Sequence, residues 1–147
     1  MIVTVTLNPS IDRTAPIAGP LRRGQVNRLG SSTEVAAGKG VNISRVLRGA
    51  GIETCAVVPA GAKGRLTLGL SHDDIPHLVV PVAAAVRTNL TITEPDGTTT
   101  KINEPGSDLS SEELTAVEEA IVEKSFGAQW VVLSGSLPPG VPTHWYA

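Results

Sequence analysis

A glycine-rich turn that leads into a helical pattern is the feature that most constrains this chain of 147 residues. The turn reads Ala-Gly-Lys-Gly-Val-Asn over residues 37–42, and its glycines allow the backbone to approach a ligand closely. The apolar residues that follow recur at i, i+3, i+4 and i+7, which predicts a helix over residues 40–50 that stops at Gly51. The N–H groups of its first turn favour an anionic or hydroxyl-rich ligand. Taken alone, such a turn is also typical of a tight connection between a strand and a helix.

Three other motifs are excluded by single residues. A Walker A loop requires Ser or Thr after its lysine, but Gly40 follows Lys39. The dinucleotide-binding fingerprint requires a third glycine where Ile43 stands. The Ser-Gly-Ser-Leu-Pro run at residues 134–138 lacks the closing glycine of a nucleophile elbow.

Composition limits the class of protein. Hydrophobic residues make up 41% of the chain and aromatic residues only 3%, so the core must consist of Val, Ile, Leu and Ala, as is typical of parallel sheets covered by helices. The formal charge of −2 argues against general nucleic-acid binding. Eleven of the twelve Lys and Arg residues lie within residues 1–101, a distribution that fits a small anionic substrate.

The cellular compartment is predicted from the lack of a disulfide pair, a signal peptide and a membrane helix in the sequence. Cys55 is the only cysteine, so no internal disulfide can form, and its neighbours predict a buried strand residue rather than a nucleophile. The N-terminus lacks a signal-peptide pattern, and no apolar run approaches the roughly 18 residues of a membrane helix. We therefore expect a cytoplasmic protein without a membrane partner.

Strand and helix patterns alternate along the chain. Alternation of this kind predicts a doubly wound α/β core, and the polar strand patterns within residues 26–36 and 87–103 predict a small second sheet outside it. Ser110 and Glu113 form a capping box, and Trp130–Leu133 is wholly apolar and is predicted to be buried on both faces. The core strands are predicted at 2–7, 54–59, 78–82 and 130–133, and the helices at 40–50, 65–70, 110–123 and from 143 onward.

Four motifs in order resemble the ribokinase-like (PfkB) carbohydrate kinases. They are Asn-Pro-Ser-Ile-Asp at 8–12, the turn at 37–42, Arg-Thr-Asn at 87–89 and Ser-Gly-Ser-Leu-Pro-Pro-Gly at 134–140. The resemblance implies a single incomplete kinase domain over residues 1–147, equivalent to the N-terminal half of the family's chains, with lid strands near 14–36 and 87–103 inserted in the α/β core. Within the family, the chain is most similar to members that convert fructose 1-phosphate to fructose 1,6-bisphosphate; those acting on tagatose 6-phosphate or fructose 6-phosphate come next.

The resemblance also implies a set of substrate-binding residues. Asp12 would bind sugar hydroxyls, Arg87 would pair with the substrate's phosphate, and Asn103 would reach the substrate from the lid. Each has a plainer alternative, since Asp12 could cap a turn, Asn103, Ser134 and Ser136 could serve only local turns, and Lys39 and Arg87 could be solvated charges. The full set is Asp12, Gly38, Lys39, Asn42, Arg87, Asn103, Ser134, Gly135 and Ser136.

The chain departs from the family in its catalytic part. The family's catalytic base is an Asp in a Gly-Ala-Gly-Asp motif, but the Gly-Ala-Gly at residues 49–51 is followed by Ile52 and is predicted to end a helix. The family's ATP- and Mg²⁺-binding segments would lie beyond Ala147, so we expect an acceptor-binding half that is inactive alone. No metal site is expected, because Pro76 interrupts the His- and Asp-rich stretch at 72–77.

Other functions remain open from the sequence. The chain could be a non-catalytic module that binds a sugar phosphate or dimerises through its lid, and a homodimer through the lid is expected from the resemblance. It could also belong to a kinase for a neutral sugar or nucleoside, although such a substrate requires no cationic pair like Lys39 and Arg87.

Overall fold

The computed structural model describes residues 1–147 and contains two four-stranded sheets and three helices. In chain order the elements are β1 Ile2–Val5, β2 Ser10–Pro16, β3 Thr33–Ala37, α1 Lys39–Gly49, β4 Thr54–Ala60, α2 Arg65–His72, β5 His77–Pro81, β6 Arg87–Thr93, β7 Thr99–Asn103, α3 Ser111–Ser125 and β8 Trp130–Leu133.

The first sheet is the core of the protein, with strand order β5-β4-β1-β8 and all neighbours parallel. Alternate residues of β4 face opposite sides: Ala56 and Val58 pack with Leu66 and Leu70 of α2, whereas Val57 packs with Val117 of α3. Helices therefore cover both faces, which explains why its strands are rich in Val and Ala. The predicted doubly wound α/β core is confirmed.

The second sheet has strand order β3-β2-β6-β7 and is called the lid here. Its two faces differ in polarity. Successive side chains of each strand point to opposite faces, and paired residues of neighbouring strands share a face. Asp12, Asn89 and Asn103 occupy matching positions on a polar face, whereas Ile11, Ala15 and Ile92 belong to an apolar face and are buried. The prediction of a small second sheet is thus confirmed.

The N-terminus of α1 packs directly against the end of β1. Behind it, Thr4, Ser44 and Thr54 form a buried chain of hydroxyl hydrogen bonds of 2.7 and 2.9 Å that ties β1, α1 and β4 together. Closer to the turn, a Cβ atom added at Gly40 would lie 2.6 Å from Thr6 Oγ1 and 2.7 Å from the Val5 carbonyl oxygen. Only glycine allows this approach.

The predicted caps are present. Ser110 and Glu113 form the capping box of α3, and hydrogen bonds from the backbone N–H groups of Ser110 and Ala83 lower the pKa of the Glu113 carboxyl. Helix α1 ends at Gly49, and Gly51 adopts a φ of 74°. The Gly-Ala-Gly sequence there is a helix terminus, as predicted.

Several predictions were wrong. Ser10–Pro16 is a strand that was not predicted, because Pro9 and Pro16 at its limits indicated a loop. Residues 26–29 form no strand, apart from one isolated bridge between Ile17 and Leu29. The residues after Thr143 form turns rather than a helix.

The burial predicted for β8 was also wrong. Trp130 is 70% exposed and Val131 and Leu133 are each 37% exposed, because β1 is the only strand beside β8 and leaves its other edge open. Cys55 lies in β4 as predicted but is only partly buried, and this burial raises the pKa of its thiol. No helix in the structure has the length and apolar character needed to cross a membrane.

The contact at Gly40 predicts a contrast between two glycines of the same helix. Gly40→Ala should lower the free energy of unfolding by about 1–3 kcal/mol, because the added methyl group meets the backbone of Val5. Gly49→Ala is the matched control: an added Cβ meets nothing within 4 Å, so stability should rise by up to about 1 kcal/mol. Urea denaturation of the purified variants measures both, and equal stability of the two would contradict the close approach.

Candidate functional site

A polar cleft lies where the carboxyl ends of β1 and β8 meet the N-terminus of α1, beneath the polar face of the lid. Ligands of open α/β sheets bind at this edge, because the loops after parallel strands leave a crevice there. The cleft has a volume of about 400 Å³. Its lining contains no hydrophobic residue and consists of Thr6, Asn8, Ser10, Asp12, Gly38, Lys39, Asn42, Arg87, Asn89, Gly135 and Ser136.

Backbone groups at the start of α1 form one wall of the cleft. Gly38 is the N-cap, with a φ of 137° and no side-chain cap, and a Cβ atom there would collide with Thr6. The Val41 N–H donates to Thr6 Oγ1 at 3.0 Å, and the Asn42 N–H donates to the Gly38 carbonyl at 2.8 Å. The N–H groups of Lys39 and Gly40, the first two residues of the helix, have no acceptor within it, so this wall attracts an anion or an oxygen-rich group.

Asp12 is the carboxylate of the cleft, and two neighbours fix its orientation. The Ser10 hydroxyl donates to Asp12 Oδ1 at 2.9 Å, and Asn89 Nδ2 donates to the same oxygen at 2.9 Å. Asn89 Nδ2 also donates to Ser10 Oγ at 3.1 Å, which closes a ring of three side chains. Because both bonds to the carboxylate use Oδ1, the second oxygen, Oδ2, is left to accept hydrogen bonds from a ligand.

Arg87 bridges the lid and the loop after β8. Its Nη1 donates to the Glu104 carbonyl at 3.0 Å, and its Nη2 lies 3.4 Å from Ser136 Oγ. The Nε atom is buried and has no hydrogen-bond partner in the protein. A guanidinium held in this way presents positive charge to the cleft with its plane already set, which suits recognition of a phosphate or carboxylate.

The Asn42 side chain is oriented by a second arginine. Arg45 Nη1 donates to Asn42 Oδ1 at 2.8 Å, while its Nη2 donates to Asp73 Oδ2 at 3.1 Å and to the Ala36 carbonyl. Since Arg45 can only donate, the atom that it contacts must be the amide oxygen. The Asn42 amide therefore presents its NH₂ group as a donor to the cleft.

Asn8 joins the segments that surround the cleft. Its Nδ2 lies 2.9 Å from the Pro105 carbonyl, 3.3 Å from Ser136 Oγ and 3.4 Å from the Leu137 carbonyl. Asn8 is only 6% exposed, so these contacts are shielded from water. The end of β1, the linker after the lid and the loop after β8 are thereby held together.

Seven of the nine residues predicted from the sequence line this cleft. The other two lie nearby: Ser134 follows β8 and its N–H donates to the Val5 carbonyl at 3.2 Å, and Asn103 is exposed on β7 opposite Asn89. Sequence reasoning missed Thr6, Asn8, Ser10 and Asn89 as lining residues. Asn89 could have been predicted from the sequence, because it stands two positions after Arg87 in a strand and therefore shares a face with Arg87.

The known proteins to which the chain is similar are phosphofructokinases. The chain is 32% identical over 145 residues to a 1-phosphofructokinase of Vibrio cholerae, covering 95% of this chain and 44% of that protein. Its fold matches phosphofructokinase-2 of Escherichia coli, solved in complex with fructose-6-phosphate, with a TM-score of 0.86 and 28% identity over 96% of this chain and 47% of that one. A possible 1-phosphofructokinase of Thermotoga maritima matches with a TM-score of 0.82 and 30% identity, over 97% and 47%.

No family model matches the chain. The chain spans less than half the length of each of these relatives. For each relative, the similarity therefore lies within one part of its chain.

Proposed function

Because the chain belongs to the ribokinase-like (PfkB) family of carbohydrate kinases, we propose that it is the acceptor-binding part of a kinase that phosphorylates a sugar phosphate. The single observation that carries the proposal is the cleft, which combines one oriented carboxylate with two cationic side chains and has no hydrophobic lining. Carboxylate oxygens accept bonds from sugar hydroxyls, and cations bind a phosphate that the substrate already carries. Both parts of a sugar phosphate thus have matching groups.

Within the proposal, Asp12 Oδ2 accepts a hydrogen bond from the sugar, and the Asn42 NH₂ group donates one. Lys39, Arg87 and the N–H groups of α1 hold the phosphate. Gly135 and Ser136 border it from the loop after β8. Ser134 and Asn103 belong to the predicted set as well, and they would join it only if the lid and this loop closed further on the substrate.

The proposed substrate is fructose 1-phosphate, with fructose 1,6-bisphosphate as the product. The Vibrio cholerae relative is a 1-phosphofructokinase, which favours this sugar. Tagatose 6-phosphate and fructose 6-phosphate are the alternatives, and the second is the sugar bound to the Escherichia coli structure. A neutral sugar or nucleoside is disfavoured, because it would leave Lys39 and Arg87 without a partner in the cleft.

ATP with Mg²⁺ would supply the transferred phosphoryl group. Residues 1–147 hold no group of three or more His, Cys, Asp or Glu side chains that could bind a metal ion. The chain's own part is to bind the acceptor, orient its hydroxyl and exclude water beneath the lid. The general base is proposed to lie outside these residues.

The alternative function is that of a non-catalytic module that binds a sugar phosphate. A cytoplasmic location forms part of either proposal.

We further propose that the lid supports a homodimer. Ile102 belongs to the apolar face of the lid and is 56% exposed, beside the partly buried Leu90 with which it pairs. An exposed apolar side chain on an edge strand is stabilised when another surface covers it. A second copy of the lid would provide such a surface.

Arg87→Ala tests the phosphate assignment. The affinity of the purified chain for fructose 1-phosphate should fall about 10- to 150-fold, the loss expected for one charge-assisted hydrogen-bonded pair of roughly 1.5–3 kcal/mol. NMR titration measures the change. Arg48→Ala is the matched control. Arg48 lies in the last turn of α1, away from the cleft, and pairs with Asp74, so the affinity for fructose 1-phosphate should stay the same. Equal affinity of the Arg87 variant and the wild type would refute the role of Arg87.

The chain of 147 residues should show no turnover with fructose 1-phosphate and MgATP. Without a donor site the reactants are not held together, which forfeits roughly 7–11 kcal/mol of the advantage of well-oriented reactants. General-base assistance, worth roughly 10²–10⁴ in rate, is missing as well. A coupled assay for ADP measures turnover, with the Vibrio cholerae enzyme as the positive control. Turnover by the chain itself, free of contaminating kinase, would support a complete active site in these residues.

The dimer is tested by sedimentation. The wild-type chain should sediment as a dimer, and Ile102→Lys should shift it to a monomer because a buried charge opposes the contact. Thr99→Lys is the control, since Thr99 is exposed on the opposite face of β7. A wild-type chain that is monomeric at all concentrations would rule the dimer out.

A further inference from the structure

Asn89 carries a polar atom that the fold leaves without a partner. Its amide oxygen, Oδ1, is buried and accepts no hydrogen bond from the protein, although the residue lines the cleft. Buried polar atoms are nearly always paired, so an unpaired one at a binding cleft indicates a ligand contact. The other amide atom of Asn89, Nδ2, holds Asp12 and Ser10.

The orientation of this amide is fixed by chemistry. Asn89 faces the carboxylate of Asp12 at 2.9 Å, and a carboxylate can only accept. The atom facing Asp12 must therefore be Nδ2, which places the acceptor Oδ1 on the other branch of the amide. A flipped amide would set its oxygen against an oxygen of the Asp12 carboxylate, so the two amide atoms of Asn89 cannot exchange their roles.

The neighbouring residues make Asn89 and Asp12 one acceptor surface. Asp12 and Asn89 are register partners on parallel strands β2 and β6, so their side chains emerge side by side on the polar face of the lid. Asp12 Oδ2 and Asn89 Oδ1 are the two acceptor atoms that the ring of hydrogen bonds leaves over. On the opposite wall, Asn42, Lys39 and the first N–H groups of α1 are donors.

We propose that Asn89 is a specificity-determining residue that accepts a hydrogen bond from a second sugar hydroxyl, next to the one bound by Asp12. The proposal rests on the proposed sugar-phosphate function and deepens it. A polyol with two neighbouring hydroxyl donors satisfies both acceptors, whereas a plain alkyl phosphate leaves Asn89 Oδ1 unpaired. The cleft therefore selects its acceptor by the sugar as well as by the phosphate.

The test compares three ligands and two substitutions in the purified chain by NMR titration. The ligands are fructose 1-phosphate, n-butyl phosphate and inorganic phosphate. Asn89→Leu removes the acceptor Oδ1 and the donor Nδ2 together while nearly keeping the side-chain size, and Asp12 keeps its bond from Ser10. Thr91→Val is the control, because Thr91 lies on the same strand and face but outside the cleft.

Asn89→Leu should weaken fructose 1-phosphate about five- to tenfold, the loss expected for one hydrogen bond to a buried neutral acceptor. Its affinities for butyl phosphate and inorganic phosphate should stay at the wild-type values, and they also report that the variant is folded. Thr91→Val should match the wild type with all three ligands.

Other outcomes would overturn the inference in distinguishable ways. Unchanged affinity for fructose 1-phosphate in Asn89→Leu would remove Asn89 from the site and leave the proposed function standing. An equal loss for all three ligands would make Asn89 only a support for the fold of the cleft. A wild-type chain that binds fructose 1-phosphate no better than butyl phosphate contradicts Asn89 and the sugar-binding role of Asp12 together. A wild-type chain that binds none of the three overturns the proposed function itself.

Discussion

The close packing of the N-terminus of α1 against the end of β1 is the contact on which the rest of the site depends. Gly40 has space for no side chain between Thr6 and the Val5 carbonyl, and Thr6 Oγ1 in turn receives the N–H of Val41. This contact places the free N–H groups of the helix at the carboxyl edge of the core sheet. Lys39 and Asn42 reach the cleft because they belong to the same turn. A larger residue at position 40 would displace the whole wall.

A few polar bonds join the base of the lid to the loops beside this wall. Asn8 joins the end of β1 to the linker after the lid and to the loop after β8, and Arg87 spans the same two segments from the other side. Their contacts are made to carbonyl and hydroxyl oxygens and do not involve the hydrophobic core. The position of the lid is set by these hydrogen bonds together with apolar packing, because Ile11 of β2 and Ala36 of β3 belong to the same hydrophobic cluster as Leu66 of α2.

Elements that local patterns define were predicted well, and those that depend on tertiary surroundings were not. The capping box at Ser110 and the apolar period of α1 are local, and both were read correctly. Strand β2 has prolines at its limits and becomes a strand only because β3 and β6 pair with it. Strand β8 reads as buried from its composition alone, yet its exposure depends on which strands lie beside it. In the site, motif positions brought Asp12, Asn42 and Arg87 together, but their hydrogen-bond partners Ser10, Arg45 and Glu104 could not be paired without coordinates.

Charged neighbours determine which atoms of the cleft donate hydrogen bonds and which accept them. Asp12 forces the amide of Asn89 to present an oxygen, and Arg45 forces the amide of Asn42 to present its NH₂ group. The two asparagines have the same side chain, yet one presents a hydrogen-bond acceptor and the other a donor, because each is oriented by a different charged neighbour. Every one of these orienting bonds forms between residues of this chain. The donor and acceptor directions in the cleft are therefore set within residues 1–147, so the proposed binding of an acceptor can be measured on this chain separately from the proposed phosphoryl transfer.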